Sequence, residues 1–290
     1  GGRALKPVVA LAVGVAAVLG PVAWRNHSVG GGFNLTTSQA GPNLYIGNSE
    51  AANGTYIPLR SGYGNAAHER QDATQLAERA LDRSLSSTQV SAYWRDRALE
   101  WIFSHPRRWL VLMGKKLLLV WNRSEAVDTD DLWTYAEWSL PLRVTAPVFH
   151  FGLLAPLALL GMLLLRGRWR ELWVLPAMAA VYTLSVALFY VLGRYRYPLV
   201  PILALLAGAA VANLPSWWRR SATRDRWLGA GVVTIGIVVC NLPLLSASAM
   251  RSTTHFNLGL ELQNEGRTEE AGAGYREAVA VMAGHVGGHC

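Results

Sequence analysis

Between Pro147 and Leu214 the sequence runs through three apolar stretches, Pro147 to Leu165, Leu172 to Leu192 and Tyr197 to Leu214. They are divided only by the arginine-rich links Arg166 to Glu171 (RGRWRE) and Gly193 to Pro198 (GRYRYP). Each stretch is close to the ~20 residues that a helix needs to cross a hydrocarbon core of about 30 Å. In lipid no backbone N–H or C=O can go unpaired, so a helix is the only fold open to a single segment, and the turns must lie at the water interfaces. The chain is therefore predicted to be an all-α polytopic membrane protein. Composition agrees, since 51% of the 290 residues are hydrophobic and only 16% are charged, which excludes an ordinary soluble domain. The formal net charge is +8, yet the basic residues stand beside apolar stretches and form no contiguous stripe. Membrane lipids with anionic headgroups, and not nucleic acid, are the partner this pattern predicts. Cys240 and Cys290 are too few and too differently placed for a disulfide framework.

Taken in order, Leu5 to Trp24 is a first apolar span, giving residues 1–24 as a transmembrane segment. Residues 25–146 form an extracytoplasmic loop region. Its Gly-, Asn-, Ser- and Thr-rich opening is expected to be ordered loop with short β-prone runs. Ala67 to Leu85 and Ser87 to Phe103 are expected surface helices, the second opened by the capping pattern Ser87-Thr88-Gln89-Val90. Arg107 to Asn122 is strongly apolar but carries Lys115 and Lys116 in its middle, each costing about 2.5 to 3.5 kcal/mol at a bilayer centre. An interfacial helix with snorkelling lysines is preferred there to a span. A last span, Trp227 to Leu245, makes five in all, four of them within 147–246.

Alternation of five spans puts Arg3, Lys6, Arg166, Arg168, Arg170, Arg219, Arg220, Arg224 and Arg226 on one side, which is the cytoplasmic one. The loop 25–146 and the tail after Ser246 are then extracytoplasmic. The Ala-, Gly- and Arg-rich composition points to a bacterial inner membrane. Gly1 stands where an initiator Met would, and Gly1 to Trp24 ends in no clear small-residue cleavage site, so a piece of a longer protein is expected.

The tail, residues 252–285, resembles one tetratricopeptide repeat, through Leu258, Gly259, Leu262, Gly266, Ala271, Tyr275 and Ala278. It departs in having His255 where Trp is usual and Ala283 where Pro is usual. One such hairpin cannot bury its own face, so it should pack on further repeats, on the membrane region or on a protein partner.

Several constellations bear on chemistry. Asp128-Thr129-Asp130 has the spacing of a metal-holding DxD, but no strand and helix alternation surrounds it, so a solvated acidic loop is expected and no metal or cofactor. Arg194 and Arg196 occupy a short outer turn against the positive-inside bias. Either they snorkel to lipid phosphates or they grip the phosphate of a lipid-linked donor, with Lys115 as a further candidate contact. Tyr195 and Tyr197 beside them are read as interfacial belt residues, with stacking of Tyr195 on a sugar as the alternative. Asn43, Tyr45 and Asn48 in the segment Gly41 to Asn48 suit a sugar or acceptor, and they suit a buried turn equally well. Sequons at Asn26, Asn34, Asn53 and Asn122 all fall in the outer loop.

The ordered set PVAWRNHSVGG, TTSQAGPNLYIGN, HPRRWLVLMGKKLLLVWN and LGRYRYPLVPIL resembles the C-terminal half of bacterial membrane glycosyltransferases related to the protein O-mannosyltransferases and the lipid A aminoarabinose transferase. The resemblance covers about Leu5 to Leu214. It implies a GT-C fold, a polyprenyl-phosphate sugar as donor and transfer at the outer face of the membrane to a lipid, glycan or protein. It also implies that the catalytic carboxylate sits in a preceding half that this sequence does not contain, leaving this portion to shape the donor and acceptor cavity. The rival expectations are a membrane-anchored tetratricopeptide scaffold without catalysis and a transporter of lipid-linked sugars.

Overall fold

The computed structural model describes residues 2–28, 38–60, 66–128 and 130–287; the Asn34 sequon and Thr129 of the acidic triplet fall outside them. The described residues are helical, with no strand among them. The chain divides into two compact units, Gly1–Leu112 with Leu188–Tyr190, and Met113–Ala187 with Val191–Cys290.

The first unit holds α1 (Gly2–Ser28), α2 (Ala40–Gly47), α3 (Ala66–Leu81) and α4 (Ser87–Ser104), and α5 (Pro106–Trp121) runs from it into the second. Helix α2 corrects the expectation of loop for Gly41 to Asn48. Its glycines are there for close approach: a Cβ at Gly41 would overlap the Ser91 carbonyl oxygen of α4, so only glycine lets the two helices meet at that crossing. Around the crossing Ala73, Ala77, Val90 and Trp94 form a small core, and the Trp94 indole donates to the Ala73 carbonyl at 2.9 Å. The capping box of α4 is built on Ser86, one residue before the expected Ser87. Gln89 has to stand at the third helical position for its side chain to reach back 2.9 Å to the Ser86 N–H.

The second unit continues with α6 (Leu132–Tyr135), α7 (Leu140–Thr145), α8 (Phe151–Leu164), α9 (Trp169–Leu172), α10 (Val174–Leu188), α11 (Val200–Arg220), α12 (Thr223–Cys240), α13 (Ala247–Asn264) and α14 (Thr268–Gly287). Its core joins Leu119 and Val120 of α5 to Phe151 and Ala158 of α8, Ala179 and Val186 of α10, Leu199 just before α11, and Leu203 and Leu206 in its first turns. Lys116 shares the buried face of α5 with Leu119 and Val120 and has no exposed surface. The snorkelling expected of this lysine is thereby corrected, because its helical register points it inward; Lys115, one position earlier, is half-buried.

Contacts along α8 give the directions of its neighbours. Gly152 meets Asn241, Pro156 meets Gly236, and Arg166 pairs with Asp225 at 3.2 Å, so α12 runs antiparallel to α8. Phe151 lies against Arg196, and Gly161 rests on the Leu206 carbonyl so closely that a Cβ would overlap it, so α11 runs parallel to α8. The links therefore separate to two ends of this helix group. One end collects Arg166 to Glu171 and Arg219 to Arg226, and the other collects the Gly193–Leu199 turn and the segment after α5.

By length and composition Val8–Ser28 and Gly193–Arg220 can each cross a membrane, and Phe151–Leu164 with Arg166–Leu172, bent by 66°, adds a third if the pair is one span. Val174–Leu188 is apolar but shorter, because the chain leaves the helix at Phe189 well before the expected end at Leu192. Helix α12 opens with Arg224, Asp225 and Arg226, which shortens its apolar length. Helices α13 and α14 form a hairpin. The Tyr275 ring packs on Gly259, Gly266 turns the chain at φ +80°, and Ala271 and Ala278 are buried between the helices. The hairpin is tied to the segment around α6 where the Asp131 N–H donates to Thr254 Oγ1 at 2.7 Å and Arg251 pairs with Glu137 at 3.2 Å.

Candidate functional site

The GRYRYP segment folds as a 3-10 helix, Gly193–Leu199, that leads without a break into α11. Its first residue is docked: the Gly193 N–H donates to the Ala126 carbonyl at 2.8 Å. The segment that receives it, Asn122 to Asp128, is fixed in turn by backbone and amide contacts. The Arg123 N–H donates to the Cys240 carbonyl at 2.6 Å, and the buried Asn122 amide donates to the Leu242 carbonyl at 2.9 Å and accepts from the Ser124 N–H at 2.9 Å. The Asn122 sequon is therefore closed to modification in this fold, because its amide nitrogen is buried and engaged.

Two arginines two residues apart meet opposite fates on this turn. Arg196 points inward and has no exposed surface. Its Nη1 donates to the carbonyls of Leu119 at 3.1 Å, Val120 at 3.3 Å and Asn122 at 2.6 Å, which include the last carbonyls of α5, left without partners inside the helix. Its Nη2 lies 3.1 Å from Glu125 Oε1, and the guanidinium sits 4.3 Å over the Phe151 ring. A buried guanidinium is tolerated only when carbonyls and a counter-charge replace its water, and this cage supplies both. The expectation that Arg196 grips a donor phosphate is corrected: no face of it is open, and its charge is spent on the end of α5 and on Glu125.

Arg194 points outward. It pairs with Asp128 at 2.6 Å with 58% of its side chain exposed, and its guanidinium lies 5.4 Å from the Tyr195 ring. Tyr195 packs partly on the core, while Tyr197 is exposed. The first carboxylate of the acidic triplet thus serves as counter-ion to Arg194. Lys115 stands on α5 one turn before the carbonyls that hold Arg196.

The amide-rich candidates belong to the first unit. Asn48 has no exposed surface, and its side chain is used up: Nδ2 donates to the Leu44 and Leu188 carbonyls at 2.9 and 2.8 Å, and Oδ1 accepts from the Trp109 indole at 3.0 Å. Sugar binding by Asn48 is corrected on that ground. Asn43 accepts from the Tyr190 hydroxyl at 3.4 Å, and the Tyr45 ring lies 4.8 Å from Trp94. Both side chains stay half-buried on α2, in contrast to the sealed Asn48. Nearby, Glu50 receives the Trp101 indole at 3.1 Å and Arg108 at 2.6 Å, which together hold its carboxyl below the usual range.

Sequence reasoning missed Glu125 and Asn122. Neither carries a local signal, since each acquires its role from Arg196 more than seventy residues later in the chain. No family model matches the sequence, and neither a curated protein nor a solved structure matches the chain.

Proposed function

We propose that this chain is the C-terminal membrane portion of a glycosyltransferase that moves a sugar from a polyprenyl phosphate to a lipid, glycan or protein acceptor at the outer face of a bacterial inner membrane. The reading rests on the resemblance of four segments. One observation supports it further: Arg194 offers an exposed guanidinium, paired with Asp128 and beside Tyr195, on a turn that the caged Arg196 ties to the end of α5. In this proposal Arg194 contacts the donor phosphate, Lys115 is a second contact, and Arg196 is a positioning residue. Five spans and an extracytoplasmic tail belong to the same proposal, with α8, α10, α11 and α12 as the last four spans. A catalytic base would come from a preceding half of the protein.

A second reading is favoured by the hairpin. Phe256, Leu260, Val279 and Met282 are exposed on α13 and α14, as suits a tetratricopeptide-like unit with a protein partner. The two readings separate in a binding measurement with the whole chain in detergent and a short-chain polyprenyl phosphate. A charge-assisted contact contributes roughly 1.5 to 3 kcal/mol, so Arg194→Gln is expected to weaken binding about ten- to a hundredfold, with partial rescue by Lys. Equal affinity of the wild type for the phosphate and for the uncharged polyprenol would remove the transferase reading and leave the scaffold.

A further inference from the structure

The two ends of the α8, α11 and α12 group differ sharply in charge. Along Arg166–Glu171 and Arg219–Arg226 there are seven arginines against Glu171 and Asp225. Along Asn122–Asp131 and Gly193–Tyr197 there are three arginines against Glu125, Asp128, Asp130 and Asp131. The antiparallel register of α8 and α12 makes the first set one surface, since Arg166 at the end of α8 pairs with Asp225 at the start of α12. Trp217 packs on Gly229 and so draws the end of α11 to the same place.

Aromatic residues are interleaved with this charge. Trp169, Trp173, Trp218 and Trp227 are all exposed, Trp227 at 74%. The Arg226 guanidinium lies 5.4 Å from the Trp218 ring. Arg168, Arg170, Arg219, Arg220 and Arg224 are exposed around them. Exposed indoles beside apolar helices seek the headgroup level of a bilayer, and guanidinium groups at that level meet lipid phosphates with bidentate geometry. A nucleic acid would use the arginines but would gain little from indoles that border apolar helices.

We propose that this end is a binding surface for anionic phospholipid, in which the exposed arginines of the α9 and α11–α12 links hold headgroup phosphates while the four tryptophans seat among the glycerol and upper acyl groups. It selects net-negative lipids such as phosphatidylglycerol over zwitterionic ones. The surface is at the opposite end from Arg194 and does not depend on the transferase reading.

The test uses the whole chain in non-ionic detergent, exposed to equimolar phosphatidylglycerol and phosphatidylcholine, with retained lipid counted by native mass spectrometry. Each basic residue near an anionic surface contributes about fivefold, so the wild type is expected to retain phosphatidylglycerol by at least about that factor. The triple variant Arg219→Gln, Arg220→Gln, Arg224→Gln should lose the preference. The control Arg79→Gln, Arg95→Gln, Arg97→Gln removes the same charge from exposed positions on α3 and α4 and should keep it. On the wild type alone, raising salt from 50 to 500 mM should shrink the ratio, because the contacts are surface charges. The proposal is overturned if the triple variant keeps the preference, if the control loses it equally, or if the ratio is insensitive to salt. Displacement of the lipid by inorganic phosphate or a short oligonucleotide at equal charge would also overturn it, and would identify a soluble-anion site.

Discussion

Arg194 and Arg196 are the same residue type on the same turn, and the fold gives them unlike energetics. Removing one partner of a buried, hydrogen-bonded charge costs about 3 to 5 kcal/mol, whereas an exposed ion pair contributes about 0 to 1 kcal/mol. Arg196→Gln should therefore lower thermal stability severely, and Arg194→Gln should leave it nearly unchanged while affecting phosphate binding. Thermal unfolding of both variants in detergent checks this, and equal losses would contradict the cage. Lys116 gives a pH test. It lies on α5, outside the candidate spans, and burial pushes its ammonium down to about 7. Between that value and the ordinary lysine value of 10.5 the unfolded chain binds the extra proton, so stability should rise with pH across this window. Lys116→Met should consequently stabilise most at pH 7 or below, by an amount on the order of a few kcal/mol, and least near pH 10. A difference that does not vary with pH would mean that the ammonium is not desolvated.

At the scale of elements, small residues set the crossings. Helices α2 and α4 meet at Gly41, and α8 and α11 meet at Gly161, each with a facing carbonyl where a Cβ would have to stand. Overpacking of this kind typically costs about 1 to 3 kcal/mol because backbone has to move. Gly41→Ala and Gly161→Ala are both expected to lower the melting temperature, while Gly208→Ala on α11, whose Cβ would meet nothing, should be neutral or stabilising. The same reasoning explains why the Gly41 to Asn48 segment looked like a loop. Its glycines signal close approach as readily as a turn, and composition does not tell the two apart until Ser91 is placed beside it.

For the whole molecule, the segregation of links to two ends of the second unit gives the proposed topology a direct test. In a Cys290→Ser background, a cysteine at Glu265 in the hairpin turn should react with an impermeant thiol reagent in intact spheroplasts. One at Ala222, between α11 and α12, should react only after permeabilisation. The reverse pattern would invert the protein in the membrane. Cys240 is buried, so it should contribute little background.

The helical class, the apolar helices, the capping of α4 within one residue and the gathering of arginines in two links could all be read from the sequence. Each depends on local period, span length or nearest-neighbour chemistry, which short stretches of chain carry in full. The site was legible only as a turn with two arginines and a pair of tyrosines beside them. Which arginine is sealed, which lysine of the Lys115–Lys116 pair faces the core, and that Asn48 is consumed by Leu44, Leu188 and Trp109 were decided by the tertiary structure. The physical reason is that burial of a polar group is settled by partners distant in sequence: Arg196 can turn inward only because the end of α5, Glu125 and Phe151 are assembled to receive it.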